Sequence, residues 1–252
     1  MQTIHTLPRL ALCLAALGGS HTALAERWAI GAGALYEQLP YRDYRQVVTP
    51  VPLLNYEGEQ LFLRDSAVAG LFLLKSPADR LTLNLYYSPL HFRPSKSSDA
   101  ALKRLDKRRA TAMAGIGYRH DADWGALRAE AAADVLGNSN GVAIDAAYQY
   151  PLRLGRLYIA PGAGVTWHSR RHNDYYFGVS QRESLRSGLP AYRPDSGATP
   201  YASLTLSYAF SDSWQAFVLG RYTRLDNGAR DSPMTARNGT VLIGGGIVYQ
   251  FN

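Results

Sequence analysis

The stretch from Trp167 to Tyr192 gathers the side chains best suited to chemistry: His168, Ser169, His172, Asp174 and Ser180. A serine near a histidine is the pairing used for acyl transfer, and outer-membrane hydrolases place it near the outer rim of a barrel. His168, His172 and Asp174 also offer nitrogen and oxygen donors to a metal. Both readings rest on nearness in sequence alone, whereas catalysis and coordination are matters of geometry. The plainer reading is structural. Tyr175, Tyr176 and Phe177 need burial, which folds the segment back into or across the mouth it borders. No catalytic residue, cofactor site or metal ligand is assigned, and the expectation is a protein that is not an enzyme.

A second candidate is electrostatic. Arg93, Lys96, Lys103, Arg104, Lys107, Arg108 and Arg109 stand against only Asp99 and Asp106. Facing outward, this segment suits the phosphates of lipopolysaccharide; the alternative is a solvated charge run. The whole chain of 252 residues carries 27 Lys+Arg against 20 Asp+Glu. Nucleic acid is nonetheless excluded as a partner by the N-terminus. Residues 1–25 hold no acid, an apolar core at Leu10–Leu17 and a small-x-small site at Ala23-Leu24-Ala25. That is a secretory signal peptide cleaved after Ala25, leaving residues 26–252 as one domain. Cleavage also removes Cys13, the one cysteine, so no disulfide or thiolate site is expected.

The elements that must carry these residues repeat with period two. Trp28, Ile30, Ala32, Ala34 and Tyr36 form one apolar stripe, and Leu81, Leu83, Leu85 and Tyr87 another. Ala202, Leu204, Leu206, Tyr208 and Phe210 alternate with Ser203, Thr205 and Ser207. Val241, Ile243, Gly245, Ile247, Tyr249 and Phe251 form the last stripe. Helices repeat at 3.6 residues, so these are strands. Outside the N-terminus there is no apolar run of about 18 residues, which excludes a helical membrane bundle.

Three features choose a transmembrane antiparallel up-and-down β-barrel over a soluble sandwich. The apolar stripes end in aromatics, as a headgroup girdle requires. Short joints such as 76–79, 120–123 and 211–213 alternate with long ones near 37–66, 93–108, 168–198 and 226–238, matching short periplasmic turns and long outer loops. The chain also ends in a strand, so no edge is left open. Counting gives about ten strands. Val47–Leu63 reads as a further hairpin set above the membrane; if it enters the wall the count is twelve. Pro161 interrupts an apolar stripe and implies a bulge there.

Arg119, Arg128, Glu130, Asp134, Asp145 and Arg221 fall on the polar face. Charges of both signs on neighbouring strands pair and fill a narrow barrel, giving a plugged lumen rather than a wide pore.

Several segments carry a family resemblance over nearly all of the mature chain. They are Pro50–Gly58 followed by Leu61-Phe62-Leu63, then Asp174-Tyr175-Tyr176-Phe177-Gly178-Val179-Ser180, then Glu183-Ser184 with Leu189-Pro190-Ala191-Tyr192, and finally Val248-Tyr249-Gln250-Phe251. The sequence resembles the MipA/OmpV family of outer-membrane proteins, and the Tyr-Tyr-x-Gly-Val-Ser run is the most specific of these marks. Asn252 after Phe251 is a departure, since such barrels usually end on the aromatic. The resemblance implies the Gram-negative outer membrane as location. It also implies a cell-envelope scaffold bridging a murein transglycosylase and a murein synthase. Other relatives are adhesins or porin-like, so a small solute channel is the alternative. Barrels of this kind meet outer-membrane lipid and lipopolysaccharide, and the barrel-assembly machinery reads a terminal strand such as Ile247, Tyr249 and Phe251. The resemblance carries over no catalytic residue.

Overall fold

The computed structural model describes residues 26–251, so the expected signal peptide and Asn252 lie outside the described residues. Its strands are β1 (Arg27–Gln38), β2 (Val47–Glu57), β3 (Leu61–Arg64), β4 (Val68–Lys75), β5 (Asp79–Ser88), β6 (Thr111–Ala122) and β7 (Gly125–Asp134). There follow β8 (Val142–Gln149), β9 (Leu152–Leu154), β10 (Leu157–His168), β11 (Gly197–Ala209), β12 (Trp214–Arg224) and β13 (Gly239–Phe251). The strands pair antiparallel in chain order, except that β8 pairs with β10 past β9, and β13 pairs with β1 over eleven residues, from Trp28↔Phe251 to Gln38↔Val241. The result is a closed barrel of twelve strands, because β9 pairs only with β10. Closure satisfies most of the backbone groups that hydrocarbon cannot.

The segment expected above the membrane enters the wall. β2 pairs with β1 from Arg27↔Glu57 to Glu37↔Val47, which makes twelve strands rather than ten. Its return partner β3 is only four residues long and turns at Asp65 and Ser66, both in the left-handed region. The expected bulge is also displaced. Pro161 keeps register with Leu204, and its other side faces the break where β8 ends and β9 begins, so the missing N–H breaks no ladder bond. The register shift falls instead between Phe72 and Leu74 in β4.

The apolar stripes point outward. Leu85, Ile116, Val218 and Ile243 are about half exposed, whereas the inward Thr199, Thr205 and Ser207 are all under 10% exposed. A soluble sandwich would show the reverse. Trp28, Trp124, Tyr150, Phe210, Trp214 and Phe251 gather at the end that carries the short turns, where an aromatic girdle meets the inner headgroups. The long loops leave the opposite end. Among the described residues they carry three α-helices, α1 (Arg170–Phe177), α2 (Gln181–Ser187) and α3 (Asn227–Arg230).

Candidate functional site

Two structures occupy the barrel: a cap over the outer mouth and a polar lumen beneath it. The cap begins with local capping. Ser169 is the N-cap of α1, its oxygen accepting from the backbone N–H of His172 and of Val142. Ser180 opens α2 through a reciprocal capping box with Glu183. Gly188 ends α2 in the left-handed conformation that a side chain would strain.

These short helices are too small to stand alone, and their stability comes from a shared apolar core. Leu39, Tyr41 and Tyr44 from the first loop meet Phe92, Leu102 and Leu105 from the second. Tyr176, Phe177, Val179 and Leu189 arrive from the third, and Leu225, Ala229 and Met234 from the last. Tyr41, Phe92, Tyr176 and Met234 are essentially inaccessible. The ring of Tyr41 packs edge-on to Phe92 with centroids 4.9 Å apart.

The motif residues are brought together here. The Tyr176 hydroxyl donates to the carbonyl of Arg109 at 3.1 Å, and the Tyr175 hydroxyl accepts from the Arg109 N–H at 2.8 Å. Val179 and Tyr192 exchange both backbone hydrogen bonds at 2.9 Å, and Tyr192 reaches the carbonyl of Gly228. Gly178 offers its carbonyl to Arg108 at 3.1 Å, and a Cβ on it would lie 2.5 Å from the Asp174 carboxylate. Arg108 also pairs with Glu183 at 2.7 Å, with both side chains largely buried. Burial alone would raise the Glu183 carboxyl; the N–H groups of Asp106 and Ser180, the Arg108 guanidinium and the Ser180 hydroxyl together hold it below the usual range. The sequence placed Arg108 in an outward basic run and marked Glu183 only through the family resemblance, not as its partner.

The chemically suggestive trio does not converge. His168 and His172 stack face to face with centroids 4.2 Å apart, and His172 packs on Tyr176 at 4.8 Å. Asp174 points to solvent. The Ser169 oxygen is aimed at backbone N–H groups rather than at an imidazole. Burial pushes His172 down to about 4, so it is a neutral packing group at neutral pH.

Beneath the cap, the lumen is two-sided. One side is apolar, with Ala29, Leu53, Phe217, Leu219 and Val248 in contact. The other is charged. Arg128 pairs with Asp145 at 2.7 Å, and the Tyr201 hydroxyl donates to the same carboxylate at 3.1 Å. Arg221 lies over the Tyr201 ring, 3.4 Å from its centroid. Gly164 makes room for that ring, because a Cβ there would stand 2.5 Å from it. Asn84 donates to Glu130 at 3.2 Å. Arg119 and Arg80 share Asp121 at 2.6 and 2.7 Å, near the short-turn end. Asp134 sits at the outer end of β7, where its carboxylate accepts from Thr111 and from the N–H groups of Leu136, Gly137, Ser139 and Asn140, holding that turn. A lumen cavity of about 360 Å³ remains below the cap. On the terminal strand, Ile247 and Phe251 are exposed on the lipid face, and Tyr249 stacks edge-on against Trp214 and Phe251.

The family described as "MltA-interacting protein MipA" matches residues 30–251, almost every described residue of the barrel. The chain belongs to that family. The MltA-interacting protein of Escherichia coli K12 is 42% identical over 225 residues, covering 89% of this chain and 90% of that protein. The outer membrane protein OmpV of Vibrio cholerae is 24% identical over 225 residues, covering 89% and 87%. With relatives so named and a lipid-facing barrel wall, this family member is an outer-membrane protein.

Proposed function

We propose that this chain is a non-enzymatic scaffold of the cell envelope that holds a murein transglycosylase and a murein synthase at the outer membrane. The capped mouth is the observation that carries the reading. Loops from four hairpins share one buried core over the lumen, and the lumen arginines engage carboxylates or rings. A barrel closed in this way works through its rims. The likeness to a relative named for its interaction with MltA supports the transglycosylase as one partner. The periplasmic rim offers short turns at 58–60, 76–78, 123–124 and 210–213. It also carries the Asp79–His120 and Arg119–Asp121–Arg80 pairs.

The test is binding of a purified transglycosylase to the folded barrel in nanodiscs, with charge-reversed rim variants at Arg80 and Arg119. Saturable binding that weakens at least tenfold in those variants is expected. Absence of binding to a correctly folded barrel overturns the proposal. On the outer side, Lys96, Lys103, Arg104 and Lys107 would meet lipopolysaccharide phosphates. Ile247, Tyr249 and Phe251 form the strand offered to the barrel-assembly machinery.

The lumen cavity favours a second reading, a small solute channel. A steady open current in planar bilayers would support it and remove the capped-barrel argument.

A further inference from the structure

The wall is incomplete on its outer half. β3 and β4 pair with β2 and β5 only in their lower reach, and their hairpin turns at the level of Leu54, where Ser66 donates to the Leu54 carbonyl at 3.1 Å. Above that level, among the described residues, β2 pairs with β1 alone. On the far side, Tyr87 bonds to Ala67, and the chain continues upward as residues 89–92 beside Arg108. Above the hairpin, among the described residues, no strand therefore stands between β2 and the 89–92 segment. The roof is the contact of Tyr44 with His91, Phe92 and the N–H of Arg93.

The edge of β2 is built not to pair. Backbone groups of alternate residues point to the same side of a strand. The N–H and C=O of Leu54 both engage Ser66, so those of residues 52, 50 and 48 face the gap. Residues 52 and 50 are prolines, and both are exposed. Their missing N–H groups make a poor template for an added strand. The gap thus disfavours a strand donated by a protein or by a second copy of this chain.

The lumen cavity reaches the same place. Arg64, Val68, Ser88, Pro89 and Leu90 border the gap and line the cavity. Outside, Val48 and the two prolines present an apolar rim to hydrocarbon. Inside, the cavity lining carries five arginines against three carboxylates. Its volume of about 360 Å³ is at the small end for a ligand site. We infer that this gap is a lateral window through which a single-chain anionic amphiphile of the fatty-carboxylate type enters the lumen from the outer leaflet. Its head meets the arginine-rich lining and its chain trails through the window between Pro50 and Leu90.

The test uses the full mature barrel in lipid nanodiscs with dodecanoate as probe and empty nanodiscs as blank. Saturable dodecanoate binding is expected, with dodecyltrimethylammonium at least tenfold weaker. Leu90→Trp, which fills the window, is expected to weaken dodecanoate binding at least tenfold. Val68→Phe serves where Leu90→Trp loses the gel-shift signature of a folded barrel. A photo-crosslinking side chain at Val68 is expected to give a dodecanoate adduct that unlabelled dodecanoate competes away, whereas one at Ile30, on intact wall, gives none that saturates. Equal binding of the cationic probe, binding unchanged in both filled variants, or crosslinking from Pro50 to another protein strand in place of lipid would each overturn the window.

Discussion

The cap and the wall sort the same residue types in opposite directions. In the cap, Tyr41, Phe92 and Tyr176 are inside and Lys103, Arg104, Lys107 and Arg109 outside, with Arg108 buried against Glu183. In the wall, Leu85, Ile116 and Ile243 are outside and Arg128, Asp145 and Glu130 inside. The difference teaches that exposure has no single meaning in this molecule. Leu185 of α2 is 89% exposed to water, and Ile116 of β6 is 53% exposed to lipid. The first adds little to stability; the second anchors the wall.

Substitutions that treat the two regions alike will separate them. The largest effect is expected from Tyr176→Ala, which empties the middle of the cap at a cost of about 3–5 kcal/mol. Hydrogen exchange should rise throughout 169–196 while the strands keep their protection. A cap that stays protected would show that its core does not act as a unit. Next comes Ile116→Lys, which sets a charge in hydrocarbon and should destabilise the barrel by about 2–4 kcal/mol in urea unfolding from vesicles. Leu185→Lys should fall within about 0.5 kcal/mol. Similar values for the two would contradict the placement of β6 against lipid.

Acid sharpens the contrast further. His172 is held near 4 in the cap and returns to its ordinary 6.5 when exposed, so the opened cap binds the extra proton. Cap stability is therefore whole above pH 6.5 and declines toward pH 4, by on the order of 2–3 kcal/mol. Glu183, held low, adds a second loss only below its ordinary 4.5. Exchange of the 169–196 segment measured at pH 7 and pH 5 checks this, and His172→Phe should reduce the dependence. The smallest effect is expected from Arg186→Ala. Its pair with Asp106 at 2.8 Å is exposed on both sides and contributes about 0.5 kcal/mol or less by thermal melting.

The wall was legible in the sequence because period two and the lipid-facing stripe are local properties. Thus Leu81–Tyr87 and Ala202–Phe210 read correctly residue by residue. The β2–β3 hairpin was recognised but set above the membrane, and its Pro50 and Pro52 are unusual in a paired strand. They are tolerated because one side of β2 meets no neighbour at that height. The burial of Tyr176 and Phe177 followed from their type, and a capping box could have been read from Ser180 and Glu183. The partnership of Arg108 with Glu183 could not, because 75 residues separate them and only tertiary folding brings them within 2.7 Å. The stacked histidines were visible as a pair, but spacing did not reveal that they serve as packing.

The cap core takes Tyr41 from the first hairpin and Met234 from the last. Those hairpins become neighbours only when the β1–β13 seam is zipped. The lid therefore sets last and reports that the ring is shut: a cylinder stalled open at that seam would show loose outer loops to proteases, while a finished one would not.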